Sequence, residues 1–263
     1  MTVYITKASL YQRVQNVRKQ LNITLLDYPI NSISLFTETM GRKLGYAPFK
    51  KSALRGVASI DKENPVRDVI LLNASRTKLE QNFDCAHEII HTIAHRNLPG
   101  VSSFNCFETV SEKQDPFIEW QANEGAAELL VPYKDFIPTY IELSRKNARS
   151  WYGTPPLKEL SERYNVTETV IQNRISSLNY EIYQYMEHGD INRIEILSQN
   201  KQKQIGWNKR HEQHYCLSCL APISMMYNYC PTCGTKIETE GLISHNYVLK
   251  GAGYMKYPGV ELN

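Results

Sequence analysis

Apolar residues recur at helical spacing over most of the chain, interrupted early on by two short apolar runs of a different kind. Leu10, Val14, Val17 and Leu21 fall on one face of a helix over residues 7–25, with polar residues opposite. Residues 30–36 read as a strand or the end of a helix, and Gly41 and Gly45 mark turns. Val57-Ala58-Ser59-Ile60 and Val69-Ile70-Leu71-Leu72 read as two strands joined by the polar, proline-containing stretch 61–65, a hairpin-like connection. The helical period returns with Phe83, Ala86, Ile89, Ile90 and Ile93, and Pro99-Gly100 stops that helix. Residues 101–115 read as a polar loop, a wall for a cleft. Another helix begins near Pro116, carries Phe117, Ile118, Trp120, Ala122, Ala126, Ala127, Leu129 and Leu130, and ends at Pro132. A polar helix over 139–149 follows, closed by 150–156. Residues 157–175 then read as helix, tight turn at Asn165 and a second helix capped by Thr167, the layout of a helix-turn-helix. Many helices around one small sheet predict an α+β fold.

Composition narrows the class. With 263 residues the chain buries at least one good core, and 42% hydrophobic with 22% charged residues is ordinary for a globular protein. No run approaches the roughly 18 apolar residues of a membrane span. The N-terminus lacks the basic-then-apolar layout of a secretory signal, so a cytoplasmic protein is expected. A formal charge of +3 is too small to argue for nucleic acid by itself.

The candidate chemistry starts in the helix that follows the strands. His87-Glu88-Ile89-Ile90-His91 is an H-E-x-x-H. Four residues apart on a helix, the two imidazoles project from nearly the same face, the spacing at which they bind one Zn²⁺ at about 2.0–2.1 Å each. Glu88 sits where its carboxylate reaches an attacking water without becoming a ligand. Two imidazoles leave such a metal one protein ligand short. Glu119 on the next helix is the leading choice, with Glu124, Glu128 and His95 as rivals. His95 lies about 80° round the helix from His87 and a further turn along, which makes one metal hard to reach from all three histidines. Asn123, one turn after Glu119, is placed to accept the second ring proton of a ligating histidine. Cys85, on the same helix as the motif, reads as a small core residue.

Two motifs together carry a resemblance. Phe83-Asp84-Cys85-Ala86-His87-Glu88-Ile89-Ile90-His91, followed by Glu119-Trp120-Gln121-Ala122-Asn123-Glu124-Gly125-Ala126-Ala127-Glu128-Leu129-Leu130-Val131-Pro132, resembles the ImmA/IrrE-type metallopeptidases over about residues 14–178. The resemblance implies a mainly helical, zincin-like metallopeptidase domain. It implies a catalytic zinc on His87, His91 and Glu119 with Glu88 as base, and as substrate a regulatory protein such as a helix-turn-helix repressor. Two positions depart from the family pattern: Ile90 stands where Gly is frequent, and Gly125 where Phe is usual. The glycine puts the packing of the second helix in question, because Gly weakens a helix interior by about 1 kcal/mol relative to Ala.

Toward the C-terminus the chemistry changes. Cys216-x-x-Cys219 and Cys230-x-x-Cys233 are paired knuckles that read as a Cys₄ zinc ribbon holding a second, structural zinc. The segments are then a metallopeptidase domain over 1–150, a helix-turn-helix-like pair over 151–186 packed on it, a linker over 187–213, the ribbon over 214–240 and a tail over 241–263. Thr169, Gln172, Asn173 and Arg174 are the residues through which the helix pair would touch DNA. That reading is the less favoured one, because few basic residues accompany them and Glu168 repels phosphate. The rival function is a DNA-associated regulatory module that uses the helix pair and the ribbon without proteolysis.

Overall fold

The computed structural model describes residues 5–49, 53–107, 114–148, 156–207, 213–216, 222–223, 229, 234 and 242–245. Its first helix begins on a side-chain cap: Thr6 Oγ1 accepts the amide of Ser9 at 3.2 Å, and α1 (Lys7–Gln20) buries Leu10, Tyr11 and Val14. The helix stops short of the expected residue 25. Asn22 takes a left-handed backbone with φ of 55°, and Leu25 and Leu26 stand exposed in a short turn capped by Thr24 and Asp27. Residues 30–36 form no strand. Asn31 caps a single helical turn, α2 (Ser32–Ser34), which runs into a π-turn over Leu35–Thr39.

Four strands make one mixed sheet: β1 (Lys43–Ala47), β2 (Leu54–Ser59), β3 (Val69–Asn73) and β4 (Ser103–Phe107), in the order β1-β3-β2-β4. β1 runs parallel to β3, whereas β2 is antiparallel to both β3 and β4. Two sequence expectations change here. Gly45 lies inside β1, opposite Leu71, and a Cβ on it would come 2.9 Å from Leu71 Cδ2. The stretch read as a loop contains β4, with Phe104 and Cys106 buried and Ser103 and Asn105 exposed. Among the described residues β4 and β1 are the two edge strands, β4 next to β2 and β1 next to β3.

Behind the sheet lie the two central helices, α3 (Lys78–Ala94) and α4 (Pro116–Leu130). α3 opens on a reciprocal cap in which Thr77 Oγ1 accepts from Glu80 N and Glu80 Oε2 accepts from Thr77 N at 2.8 Å. Its inner face buries Cys85, Ala86, Ile89 and Ile90. Asp115 caps α4, with Pro116 in the first turn, where a missing N–H costs nothing. The two departures from the family pattern meet between these helices. A Cβ on Gly125 would lie 2.9 Å from Ile90 Cγ2, so the isoleucine of α3 fills the space that the glycine of α4 leaves.

The chain continues through α5 (Tyr133–Ala148) to a helix pair, α6 (Leu157–Tyr164) and α7 (Glu168–Ser177). Asn165 makes the turn between them with φ of 53°, and Thr167 caps α7. The pair is fastened to α1 and α4 by buried charge. Arg174 on α7 donates to Tyr11 Oη at 2.7 Å, to Glu124 Oε1 at 3.0 Å and to Glu128 Oε2. Its Nε reaches the carbonyl of Val131 at 3.0 Å.

Two compact units are present. One contains Met1–Phe136, Leu157–Leu178 and Ile196–Ser198; the other contains Ile137–Pro156, Asn179–Glu195 and Gln199–Asn263. In the second, α8 (Asn179–His188) sets Tyr180 and Tyr183 against Trp207, and α9 (Gln199–Gln204) lies within the stretch read as a linker. Three short strands form a second sheet: β5 (Gln213–Cys216) pairs with β6 (Pro222–Ile223) and with β7 (Leu242–His245). Cys219, Cys230, Cys233 and the side chain of Cys216 lie outside the described residues.

Candidate metal centre

α3 presents His87 and His91 inward, and α4 brings Glu119 to them. His87 Nε2 lies 3.1 Å from His91 Nε2 and 3.3 Å from Glu119 Oε2, and His91 Nε2 lies 3.8 Å from Glu119 Oε1. A tetrahedral ion with bonds of about 2.0–2.1 Å needs donor atoms roughly 3.3 Å apart. The three donors therefore fit one such ion with small side-chain adjustments. All three residues are buried.

The helices that carry these side chains are held by polar contacts as well as by packing. Arg76 donates to Asp84 at 2.6 Å on the first turns of α3. Gln81 reaches the carbonyl of Asn73 at 3.0 Å and ties α3 to β3. Asn82 donates to the carbonyls of Ile30 and Asn165, at 3.1 and 2.9 Å. α3 cannot rotate without breaking several of these at once, so His87 and His91 are held in advance of any ion.

Each imidazole has a polar neighbour at its other ring nitrogen. Asn123 Oδ1 lies 3.0 Å from His87 Nδ1, the position expected from the spacing of Glu119 and Asn123 on one helix face. His91 Nδ1 faces His95 Nδ1 at 2.9 Å, and His95 Nε2 faces Gln121 Oε1 at 3.0 Å. Phe104 on β4 stacks on His91 with centroids 4.2 Å apart. Burial, with His87 and His95 adding to it, holds His91 well below the usual histidine range, and burial likewise lowers His95. Both are therefore neutral at physiological pH, the form in which imidazole binds metal.

Glu88 is fully buried beside this cluster, and neither carboxylate oxygen has a hydrogen-bond partner of normal geometry among the described residues. Burial pushes its carboxyl well above the usual range; Glu119 and Asp84 add to the rise, and the amides of Ala58 and Cys106 oppose it. An unpartnered buried carboxylate is costly and rare unless an ion, a water or a reaction uses it. β2 makes room for it. A Cβ on Gly56 would lie 2.9 Å from Glu88 Oε1, so only glycine lets the strand pass there. Cys106, paired with Gly56 across β2 and β4, is buried next to Glu88 and His87.

The rivals for the third ligand are occupied elsewhere. Glu124 and Glu128 point to Arg174, and Glu128 also pairs with Arg18 at 3.1 Å. His95 stands behind His91, on the side away from Glu119. Arg174 itself corrects one expectation. It is 1% exposed and every guanidinium nitrogen is engaged inside the fold, so it cannot reach DNA. Thr169 and Asn173 are exposed on α7 and Gln172 half-buried. Two features are not foreseen from the sequence: the contact of His95 with His91, whose signal is a third histidine at the same four-residue step, and Gly56, whose only signal is a glycine within a strand.

His87, His91 and Glu119 form a group of donors that could hold one metal ion, with the buried carboxylate of Glu88 beside them. The family model described as the IrrE N-terminal-like domain (Peptidase M78) matches residues 37–176, more than half of the chain. The chain belongs to this ImmA/IrrE peptidase family. No curated protein matches the chain significantly in sequence. Among solved structures, a Mycobacterium tuberculosis transcriptional regulator is similar at 13% identity with a TM-score of 0.43. The match covers 66% of this chain and 48% of that one, so the chain spans about half the length of that protein.

Proposed function

We propose that the protein is a zinc-dependent endopeptidase in which His87, His91 and Glu119 hold the metal and Glu88 is the general base. The observation that carries this reading is the fully buried carboxylate of Glu88, with no hydrogen bond of normal geometry among the described residues, next to three donors spaced for one ion. Zinc held there supplies Lewis acidity, which acidifies water and polarises a carbonyl. Glu88 takes the proton of the attacking water and delivers it to the leaving amine. Its raised proton affinity suits a group that must hold a proton between the two steps. A positive ion beside it lowers that affinity, so the carboxylate accepts the proton only as the water is consumed.

β4 supports a peptide as the substrate. It is one of the two edge strands of the sheet among the described residues, and its Phe104 stacks on His91. An extended chain laid along it is held by main-chain hydrogen bonds with its backbone near Glu88. At present Gln114 Nε2 donates to the carbonyl of Asn105 at 2.6 Å on this strand, a bond that an incoming strand would replace. A regulatory protein of the helix-turn-helix repressor kind is the substrate class we infer, from the family resemblance. The paired knuckles of Cys216, Cys219, Cys230 and Cys233 support a second, structural zinc. The alternative, a DNA-associated module, loses its main basic side chain with the burial of Arg174.

The test is the Glu88→Gln variant with candidate repressors as substrates. Cleavage by the wild type and none by the variant, at equal metal content, supports the assignment. Equal cleavage by both refutes it.

A further inference from the structure

We propose that His95 is a positioning residue: as a hydrogen-bond acceptor for His91 Nδ1–H, it fixes the tautomer and ring angle with which His91 offers Nε2 to the metal. The inference rests on the metal-centre reading above.

The proton bookkeeping admits one arrangement. His91 turns Nε2 toward His87 and Glu119, at 3.1 and 3.8 Å. As a ligand that nitrogen carries no proton, so the single proton of a neutral ring sits on Nδ1. Nδ1 lies 2.9 Å from His95 Nδ1, and two nitrogens at that distance need one donor and one acceptor. His95 Nδ1 is therefore bare and its own proton is on Nε2. There Gln121 Oε1 stands ready to accept, at 3.0 Å. The chain from Gln121 through His95 to His91 is thus consistent end to end, and all three residues are buried, at 0%, 3% and 0% exposure.

α4 uses the same helix to orient both ligands. Asn123 supplies a carbonyl directly to His87, whereas Gln121 acts on His91 through His95. The indirect route follows from distance along α3. His95 caps the last turn of that helix and fills the gap between His91 and α4 that a short side chain leaves open. Phe104 closes the other side, with its ring 4.2 Å from His91 and 5.8 Å from His95. A purely packing role for His95 demands only volume, and the two roles separate in two substitutions.

The experiment measures zinc affinity of the full chain by competition with a chelator, for wild type, His95→Asn, His95→Leu and Gln121→Met. It is read on the zinc that His91→Ala removes. Asn keeps an acceptor oxygen near the position of Nδ1; Leu keeps volume and loses the acceptor. Loss of such an outer partner weakens metal binding by about 10–100-fold. The expected result is that loss in His95→Leu, most of the affinity regained in His95→Asn, and a smaller loss in Gln121→Met. Imidazole ¹⁵N spectra of the zinc-loaded chain should show His91 protonated at Nδ1 in the wild type, with a changed Nδ1–H signal in His95→Leu. Equal affinity of His95→Leu and wild type overturns the inference and leaves the metal centre standing, as does His95→Asn as weak as His95→Leu with its metal-free melting unchanged. A wild type with no zinc that depends on His91 overturns both.

Discussion

Gly125→Ala tests the fit of the two central helices. On an isolated helix the change would stabilise by about 0.8–1 kcal/mol, because alanine is the better helix former. In this fold the new Cβ would lie 2.9 Å from Ile90 Cγ2 and 3.1 Å from both Cγ1 and Cδ1. Ile90 is 1% exposed and β-branched on a helix, so it has essentially one rotamer and no room to turn. Overpacking of this kind costs about 1–3 kcal/mol. The clash outweighs the propensity gain, and the net expectation is a loss of about 0–2 kcal/mol. Ile90→Ala removes the obstructing atoms at a cost of about 2–5 kcal/mol by itself. On that background Gly125→Ala should become stabilising, by about 1 kcal/mol or more as the methyl fills part of the cavity. The cycle therefore predicts a change of sign and a coupling energy of about 1–3 kcal/mol. Urea unfolding of the metal-free protein followed by far-ultraviolet circular dichroism supplies the four stabilities. A Gly125→Ala protein more stable than wild type, by the same amount in both backgrounds, refutes the interlock.

Further predictions address the site and its supports. Gly56→Ala pushes a methyl to 2.9 Å from Glu88 Oε1, and turnover should fall on the order of 10²-fold for a displacement near 1 Å while zinc content, measured by mass spectrometry, stays at the wild-type level. Arg174→Leu removes the buried cation shared by Glu124 and Glu128, leaving Glu128 with Arg18 and Glu124 with Tyr11, and should cost about 3–5 kcal/mol in urea titrations, far more than loss of an exposed side chain. The pH dependence of stability should carry a signature of Glu124. Burial pushes its carboxyl up, but Lys7, Arg174 and the hydrogen bonds of Tyr11 and Ser177 outweigh that and hold it below the ordinary value. Its contribution is complete above about pH 4.3 and fades as pH falls through the lower folded value, so acid should cost Glu124→Gln less stability than wild type.

Much of this architecture was legible in the pattern of residues, and the exceptions have physical causes. The helices of the centre announce themselves because each carries a long periodic face; α4 stops just before Pro132 as expected, whereas α3 ends at Ala94, ahead of Pro99-Gly100. The spacing of Glu119 and Asn123 also transferred directly, since a helix turn places them on one face whatever surrounds them. β4 was hidden because five residues with two buried positions look like a polar loop until β2 is beside them. Gly45 misled for the opposite reason: its lack of a side chain serves Leu71 of the neighbouring strand, not a turn. The sequence offers Arg174 only in the less favoured DNA-contact reading of a packed helix pair, and nothing local says that two carboxylates from α4 meet it inside the fold. Ile90 and Gly125 each looked anomalous alone, and only their contact shows them to be one substitution shared between two helices.

The central claim concerns a metal held between α3 and α4, and zinc content of the purified full chain tests it most directly. Wild type, His91→Ala and Glu119→Ala are loaded with zinc, freed of excess and measured by inductively coupled plasma mass spectrometry. The account predicts that each variant holds one zinc fewer per chain than the wild type, with any zinc on the cysteine knuckles unaffected. Equal zinc in all three proteins would contradict it.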